Sequence, residues 1–133
     1  MKSEESKCVL VCGSRSWGNR NSIEHALAHS WVMGYRRLIH GGAKGADKIA
    51  AEIAENWGFI VTEFKAEWDK HGKAAGPIRN TKMLEEGKPD LVLAFQIGES
   101  SGTQHMVDIS IEAGVQVRLL RIYEGKKHED RGS

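Results

Sequence analysis

The sequence predicts a three-layer α/β protein in which helices cover both faces of a five-stranded parallel sheet. Two observations predict this class: short apolar runs alternate with helix-like patterns, and glycine-rich loops follow three of the runs. Regular alternation of single strands and single helices is typical of parallel sheets. Because crossover connections are right-handed, few topologies remain, and we predict the strand order 3-2-1-4-5.

Five short runs are predicted to be the strands of this sheet. Runs that are apolar almost throughout are typical of strands buried on both faces. Residues 8–12, 37–40 and 91–95 fit this pattern, and residues 59–64 and 115–120 complete the sheet.

Helices are predicted where apolar side chains recur at intervals of three and four residues, which places them on one face. A glycine just beyond the last periodic residue indicates the end of a helix. The predicted helical stretches are residues 23–31, 46–57, 78–86 and 103–113, and Gly34, Gly58, Gly87 and Gly114 follow them. Residues 66–76 show no such period and are predicted to be irregular.

The length of 133 residues is usual for one domain with one core. We predict that residues 7–124 form this domain. A polar extension over residues 1–6 precedes it, and a charged tail over residues 125–133 follows it.

Charge and hydropathy limit the partners. The 19 basic and 18 acidic residues give a net charge of +1, whereas proteins that hold nucleic acid through phosphate contacts usually carry a basic excess. Nucleic acid is therefore an unfavoured partner.

The chain has no apolar run near the roughly 20 residues that cross a bilayer, and its N-terminus is unlike a secretion signal. Cys8 and Cys12 are interpreted as reduced core residues, so we expect a cytoplasmic protein without a membrane partner.

Three glycine-rich loops follow the first, second and fourth predicted strands. They span residues 13–18, 41–47 and 98–103. In the predicted strand order, the order reverses between the first and fourth strands, and ligands of open parallel sheets bind at that point. Glycine lets the backbone approach a ligand closely, and a helix that begins after such a loop directs its free N–H groups at an anion. The loops therefore predict a phosphate site.

Candidate ligand-binding residues are members of these loops, Trp68 of the irregular segment, and two polar residues at the start of the third helix. They are Gly13, Ser14, Arg15, Gly41, Gly42, Lys44, Gly45, Asp47, Trp68, Arg79, Asn80, Ser100, Ser101, Gly102 and Thr103. The hydroxyl groups and the cations among them suit phosphate.

For several of these residues, the sequence is consistent with two interpretations. Arg15 either pairs with a phosphate or forms a surface ion pair, and Lys44 either neutralises a phosphate or is solvated. Asp47 either accepts hydrogen bonds from ribose or base, or stabilises its helix through the dipole. Trp68 either stacks on a base or covers the core.

Arg79 and Asn80 are predicted to lie at the start of the third helix. A cation there opposes the helix dipole, so an incoming phosphate or carboxylate would explain Arg79. His71 and His105 also lie near the predicted site.

Two well-known nucleotide fingerprints are absent. Asp47 stands where the phosphate loop G-x-x-x-x-G-K-[ST] requires its second glycine, counted from Gly42, and G-x-G-x-x-G does not follow the first strand. We therefore predict neither an ATPase nor a dinucleotide-dependent dehydrogenase, and no cofactor. His25 and His29 are four residues apart on one helix but have no third ligand at a matching spacing, so no metal site is predicted.

Four motifs together resemble the YspA-type, YpsA-related branch of the SLOG superfamily. They are residues 9–15, residues 41–47, Trp68 with residues 75–80 and Met83, and Gly102 with Thr103. The resemblance extends from about Lys7 to Ile122. It implies a Rossmann-like fold that binds nucleotides or nucleotide-derived ligands, often as a homodimer, in a bacterial or phage-infected host cytosol.

The Lonely guy phosphoribohydrolases of the same superfamily use an arginine and a glutamate. Arg79 resembles their arginine, but Met106 stands at the position of their glutamate. Methionine cannot act as an acid or a base, so the resemblance does not extend to the mechanism. Glu99 or Asp47 would have to substitute for the glutamate.

Three functions follow from these observations. The first is binding of a nucleotide or nucleotide-derived ligand, as a sensor or scavenger. The alternative is hydrolysis of an N-glycosidic or phosphate bond in such a ligand, with Arg79, Asp47 and Glu99 as candidate catalytic residues. A second alternative, by analogy with the SLOG protein DprA, is binding of single-stranded DNA.

Overall fold

The computed structural model describes residues 6–122. The strands are β1 (Lys7–Gly13), β2 (Tyr35–His40), β3 (Ile60–Glu63), β4 (Leu91–Ile97) and β5 (Gln116–Ile122). The helices are α1 (Arg20–Val32), α2 (Ala46–Trp57), the four-residue α3 (Trp68–His71), α4 (Ala75–Gly87) and α5 (Ser101–Glu112).

The strands form one parallel sheet in the order β3-β2-β1-β4-β5. This confirms the predicted α/β class, the five-stranded parallel sheet and the order 3-2-1-4-5. The order reverses between β1 and β4, so the loops after these strands meet at one edge of the sheet.

Helices α1 and α2 cover one face of the sheet. Alternate strand residues point to opposite faces, and Val9 and Val11 of β1 pack with Ile23 and Leu27 of α1 and with Ile53 of α2. All five side chains are at most 1% exposed. Burying each of them contributes about 1.5–3 kcal/mol, which fixes α2 and the loop before it against the sheet.

Helices α4 and α5 cover the other face. Leu10 and Cys12 of β1 pack there with Met83 of α4 and with Met106 and Val107 of α5. The predicted burial of the cysteines is confirmed, because Cys8 and Cys12 are both buried free thiols.

Backbone–backbone and backbone–side-chain hydrogen bonds close both ends of the β1–β4 pair. At the carboxyl end, the Ser14 N–H donates to the Phe95 carbonyl at 2.8 Å and the Ile97 N–H donates to Ser14 Oγ at 2.8 Å. At the amino end, the Cys8 N–H donates to Asp90 Oδ2 at 2.8 Å, and the Asp90 N–H returns a bond to the Cys8 carbonyl at 2.8 Å. The strand pair that positions the loops is therefore fixed from both sides.

The prediction for residues 66–76 was wrong. These residues contain α3, a 3-10 turn over Gly72–Ala74 and the start of α4. Helix α4 begins at Ala75 and not at residue 78, so Pro77 is its third residue. Proline is tolerated in a first turn, where the N–H groups have no partner within the helix.

Other boundaries shift by one to three residues. Helix α1 begins at Arg20, after Asn19, whose side chain accepts a hydrogen bond from the Ser22 N–H as an N-cap. Helix α5 begins at Ser101 and not at residue 103. In residues 6–122, the structure contains no helix that is long and apolar enough to cross a membrane. Residues 1–5 of the predicted extension over residues 1–6, residues 123–124 of the predicted domain and the predicted tail over residues 125–133 lie outside the described residues.

Candidate functional site

A cleft of about 520 Å³ opens at the carboxyl ends of β1 and β2, between the first turns of α4 and α5. Such volumes are typical of small-molecule sites. Most of the predicted ligand-binding residues line it. They are Gly13, Arg15, Gly41, Asp47, Trp68, Arg79, Asn80, Ser100, Ser101, Gly102 and Thr103.

Four predicted residues do not line the cleft. Ser14 is buried in the β1–β4 closure described above. The Gly42 N–H donates to His40 Nδ1 at 2.9 Å, and the Lys44 side chain is exposed. Gly45 has a φ of 77°, and a Cβ atom there would meet the carbonyl oxygens of Ser14 and Arg15. Gly42 and Gly45 therefore shape the loop, and Lys44 lies outside the cleft.

Asp47 is held in the first turn of α2, where a buried helix face packs on the sheet. Its Oδ2 accepts hydrogen bonds from the N–H groups of Gly41 at 3.0 Å and Ala43 at 3.2 Å. The side chain is 4% exposed, and its Oδ1 has no partner among residues 6–122. One oxygen therefore orders the loop after β2, and the other is a buried acceptor on a residue that lines the cleft.

Burial raises the pKa of Asp47 from 3.8 to about 6. The two backbone N–H donors and the Arg79 guanidinium oppose this rise by stabilising the carboxylate. At neutral pH Asp47 is therefore ionised, but it is a weaker acid than an exposed aspartate.

Arg79 is half-buried and already bonded to the protein. Its Nη1 donates to the Gly41 carbonyl at 2.6 Å, and its Nε donates to Asn80 Oδ1 at 3.1 Å. Burial lowers the pKa of Arg79, while Asp47 and the other anionic groups around it raise it. The prediction that Arg79 lies at the start of a helix was wrong, because α4 begins four residues earlier. The Gly41 carbonyl supplies one partner for its charge.

Asn80 links α4 to α5. Its side chain is buried, and its Nδ2 donates to the Gly102 carbonyl at 3.3 Å and lies 3.1 Å from His105 Nδ1. The bond from Arg79 Nε fixes the orientation of the amide, because that oxygen must accept. Arg79 and Asn80 thus tie the loop after β2 to the first turn of α5.

The first turn of α5 is not capped by a side chain. Ser100 is the N-cap residue, but its Oγ donates to Thr103 Oγ1 at 2.9 Å and accepts no hydrogen bond from the helix. The first N–H groups of a helix have no partner within the helix and lie at the positive end of its dipole. This turn has the features of an anion site.

Exposed cations and one aromatic ring surround the opening. Arg15 and Lys73 line the cleft and are exposed, and Trp68 is 59% exposed. Trp68 therefore does not cover the core, which was one of its two interpretations. Trp68 is the first residue of α3, and it lies at the opening of the cleft.

Lys73, Ala43 and Cys12 line the cleft but were not predicted as site residues. The sequence gives no signal that separates Lys73 from the other lysines of residues 65–73. Burial raises the pKa of the Cys12 thiol well above its ordinary value, so Cys12 is a neutral wall residue at neutral pH and not a nucleophile.

Two residues discussed in connection with catalysis lie outside the cleft. Met106 is 0% exposed and belongs to the core beneath α5. Glu99 is exposed and lines a neighbouring hollow. Within residues 6–122, the structure shows no cluster of three or more His, Cys, Asp or Glu side chains that could hold a metal ion.

Comparison with known proteins shows the family to which this chain belongs. The model of the YspA, cpYpsA-related SLOG family matches residues 8–71. The Gene 61 protein of Mycobacterium phage D29 is 40% identical over 121 residues, which cover 82% of this chain and 92% of the phage protein. The chain belongs to this SLOG family.

The fold is also similar to that of a solved structure. The X-ray structure of DNA processing protein A (DprA) from Streptococcus pneumoniae superposes with a TM-score of 0.54 at 17% sequence identity. The match covers 86% of this chain and 59% of the DprA chain. At this identity the likeness shows the fold alone, and this chain spans about three fifths of the length of that protein.

Proposed function

We propose that this SLOG protein binds a nucleotide or nucleotide-derived ligand in the cleft, as a sensor or scavenger. The observation that carries the proposal is the buried Oδ1 of Asp47, which has no partner in the described part of the chain. Asp47 lines one side of the cleft, and the uncapped first turn of α5 forms the other side. A buried acceptor without a donor costs about 1–3 kcal/mol. A ligand that brings both a hydroxyl donor and a phosphate would satisfy both walls.

The charges support an anionic ligand. Arg15, Lys73 and Arg79 line the cleft, and Asp47 is the only carboxylate among its described lining residues. Arg15 and Lys73 have exposed side chains that can move to a phosphate, whereas Arg79 is tied to the Gly41 carbonyl. These charges support a phosphate position at the first turn of α5, with Arg15 and Lys73 beside it.

In this proposal, Asp47 binds the sugar or the base of the ligand. Its free Oδ1 can accept a hydrogen bond from a ribose hydroxyl or from an exocyclic amine of a base. The exposed ring of Trp68 at the opening offers a stacking surface for a base, and such stacking contributes about 1–3 kcal/mol. This arrangement favours a nucleotide over inorganic phosphate.

Calorimetric and thermal-shift titration against nucleoside monophosphates, nucleoside diphosphates, ADP-ribose and NAD tests the proposal. A ligand at 100 times its dissociation constant should raise the free energy of unfolding by about 2.7 kcal/mol. If the folded protein binds none of these compounds, the proposal is overturned.

Asp47→Asn isolates the role of the free oxygen. The asparagine oxygen can still accept from the N–H groups of Gly41 and Ala43, so its NH2 group replaces Oδ1 in the cleft. A donor then faces the donor of the ligand, and we expect the affinity to fall about tenfold or more. Asp108→Asn is the matched control, since Asp108 is exposed on the same helix that carries the proposed phosphate site and bonds only Gln104 in the described structure. Equal affinities of the two variants would contradict the proposed contact.

Hydrolysis of the bound ligand is a second candidate function. The observation that favours it is the raised pKa of Asp47, about 6, because a carboxylate that titrates near neutrality suits general acid–base catalysis. Met106 contributes nothing to such a reaction, and Glu99 does not line the cleft.

Incubation with pooled nucleotides, followed by chromatography for free base, ribose phosphate or phosphate, tests this candidate. Turnover should be lost in Asp47→Asn and retained in Asp108→Asn. Turnover that survives in both Asp47→Asn and Arg79→Ala would exclude these residues as catalytic groups. Binding without any product would leave the protein a binding module.

A further inference from the structure

A second hollow of about 410 Å³ lies on the other side of the first turn of α5, at the ends of β4 and β5. Ser100 and Ser101 line both this hollow and the central cleft. The two spaces therefore adjoin the same helix terminus. The proposed phosphate position lies at the boundary between them.

Gln96 gives the hollow a specific chemical character. Its side chain is 2% exposed, and its Nε2 donates to the Gly98 carbonyl at 3.1 Å. This bond fixes the amide orientation, because a carbonyl can only accept. The Oε1 atom of Gln96 therefore takes no part in this bond, and it has no hydrogen-bond partner among the described residues.

A buried amide oxygen without a donor is unfavourable unless something supplies the donor. Gln96 is on the same face of the sheet as Arg121, its neighbour in the β4–β5 register. The hollow thus resembles the central cleft in one respect. Each is lined by a residue with one buried oxygen acceptor that has no hydrogen-bond partner among residues 6–122.

The charges of the hollow differ from those of the cleft. Glu99 and Arg121 line it, one anionic and one cationic, and Arg121 Nη2 donates to Gln104 Oε1 at 3.3 Å. A second phosphate would be opposed by the Glu99 carboxylate and by the amide oxygen of Gln96. A neutral group with several hydroxyls would find both donors and acceptors.

We propose that the hollow is a second subsite, which takes a neutral, hydroxyl-bearing group joined to the phosphate bound at α5. The proposal rests on the proposed function and narrows it. The nucleoside occupies the central cleft, the phosphates cross the first turn of α5, and a sugar hydroxyl donates to Gln96 Oε1. The ligand class is a nucleoside diphosphate that carries a second sugar.

Titration of matched pairs tests the subsite in the unsubstituted protein. The pairs are ADP with ADP-glucose, UDP with UDP-glucose and GDP with GDP-mannose. We expect the sugar-bearing member of the bound pair to bind about tenfold more tightly than the bare diphosphate, because it satisfies a buried acceptor. This comparison does not depend on any variant folding.

Gln96→Leu assigns the preference to the amide oxygen. Leucine has a similar size but no acceptor, and it also lacks the donor for the Gly98 carbonyl. The readout is therefore the ratio of the affinities for the sugar-bearing and the bare diphosphate, which should fall to about one. Gln116→Leu is the matched control, because Gln116 is an exposed glutamine at the opposite end of β5. Thermal unfolding of both variants verifies that they are folded.

The outcomes separate the two proposals. If bare diphosphates bind and their sugar-bearing partners bind no more tightly, the second subsite is overturned and the proposed function stands. A sugar preference that persists in a folded Gln96→Leu protein also overturns the assignment to Gln96. If no nucleotide binds at all, the proposed function itself fails and the second subsite fails with it.

Discussion

Asp47 combines a structural and a binding property in one carboxylate. Two backbone N–H groups hold Oδ2, and burial keeps the pKa near 6. Its neighbour Arg79 likewise uses part of its guanidinium to hold the Gly41 carbonyl. At the scale of single residues, the two charged groups at the bottom of the cleft therefore preorganise the loop after β2 before any ligand arrives.

The raised pKa of Asp47 makes the stability of the protein depend on pH. The folded carboxyl keeps its proton up to about pH 6, whereas the ordinary pKa of an aspartate in the unfolded chain is 3.8. The folded state therefore binds more protons in this window, and the free energy of unfolding falls as the pH rises through it. The difference corresponds to roughly 3 kcal/mol.

Urea unfolding of the wild type and of Asp47→Asn between about pH 4 and pH 7 measures this effect. The asparagine cannot ionise but keeps the acceptor for the loop, so its free energy of unfolding should lack this fall. Asp108→Asn should behave as the wild type. The same pH dependence in wild type and Asp47→Asn would show that another group is responsible.

The elements that form the site were predicted more completely than its contacts. The strand order and the three loops could be predicted because buried parallel strands are apolar and glycines end the helices between them. The first residues of α4 could not, because Ala75, Gly76 and Pro77 precede the periodic apolar residues. For the same reason, Arg79 was predicted to lie at a helix start, and its charge was assigned to a ligand.

Contacts between segments that are distant in the chain could not be predicted from the sequence either. A carboxylate at Asp47 and hydroxyls at Ser100 and Thr103 are visible as residue types. Which oxygen bonds the protein and which remains free depends on where the loop after β2 turns its N–H groups. Gln96 gave no signal, because a single polar residue at the end of an apolar strand resembles an ordinary surface position.

Glycines of the site elements serve two different purposes, which substitution to alanine distinguishes. A Cβ atom at Gly13 would lie 2.5 Å from the Phe95 carbonyl oxygen and 2.6 Å from Ala46 Cβ. Because β4 and α2 cannot both retreat, Gly13→Ala should lower the free energy of unfolding by about 1–3 kcal/mol or more. Chemical denaturation measures this change.

Gly102→Ala is the matched substitution in α5. A Cβ atom at Gly102 meets no atom within 4 Å, so the fold should be unaffected or up to about 1 kcal/mol more stable. Affinity for the nucleotide should nevertheless fall, because the added methyl group occupies the approach to the helix N-terminus. Unchanged affinity in Gly102→Ala would argue against phosphate at this turn.

The whole molecule carries almost no net charge, +1 over 133 residues. Its cations near the cleft are balanced by acidic residues elsewhere on the surface. This balance distinguishes a small anionic ligand from a long polyanion, because binding of single-stranded nucleic acid grows with the number of phosphates that the protein neutralises.

We therefore expect weak binding of single-stranded DNA at physiological salt. Fluorescence anisotropy with a labelled oligonucleotide, repeated over a salt series, measures it. Tight binding with a steep fall in affinity at higher salt would contradict the expectation and favour DNA as the partner. In that case free nucleotides should compete poorly.

Self-association is the second property of the whole molecule that the family resemblance predicts. A homodimer would have twice the chain mass of 14.7 kDa. Light scattering coupled to size-exclusion chromatography, with and without the bound nucleotide, measures the mass. A monomer under both conditions would contradict this prediction.

The two closures of the β1–β4 pair have a consequence for how the protein opens. Residues 82 or more positions apart in the chain hold each other through the amides of Cys8 and Ile97. Releasing either amide requires the Asp90 carboxylate or the Ser14 hydroxyl to turn away from it. In hydrogen–deuterium exchange, both amides should therefore be protected although they lie near the ends of their strands. Because these bonds hold the floor of the cleft, the exposed side chains of Arg15 and Lys73 at its rim are the groups expected to rearrange when a ligand enters.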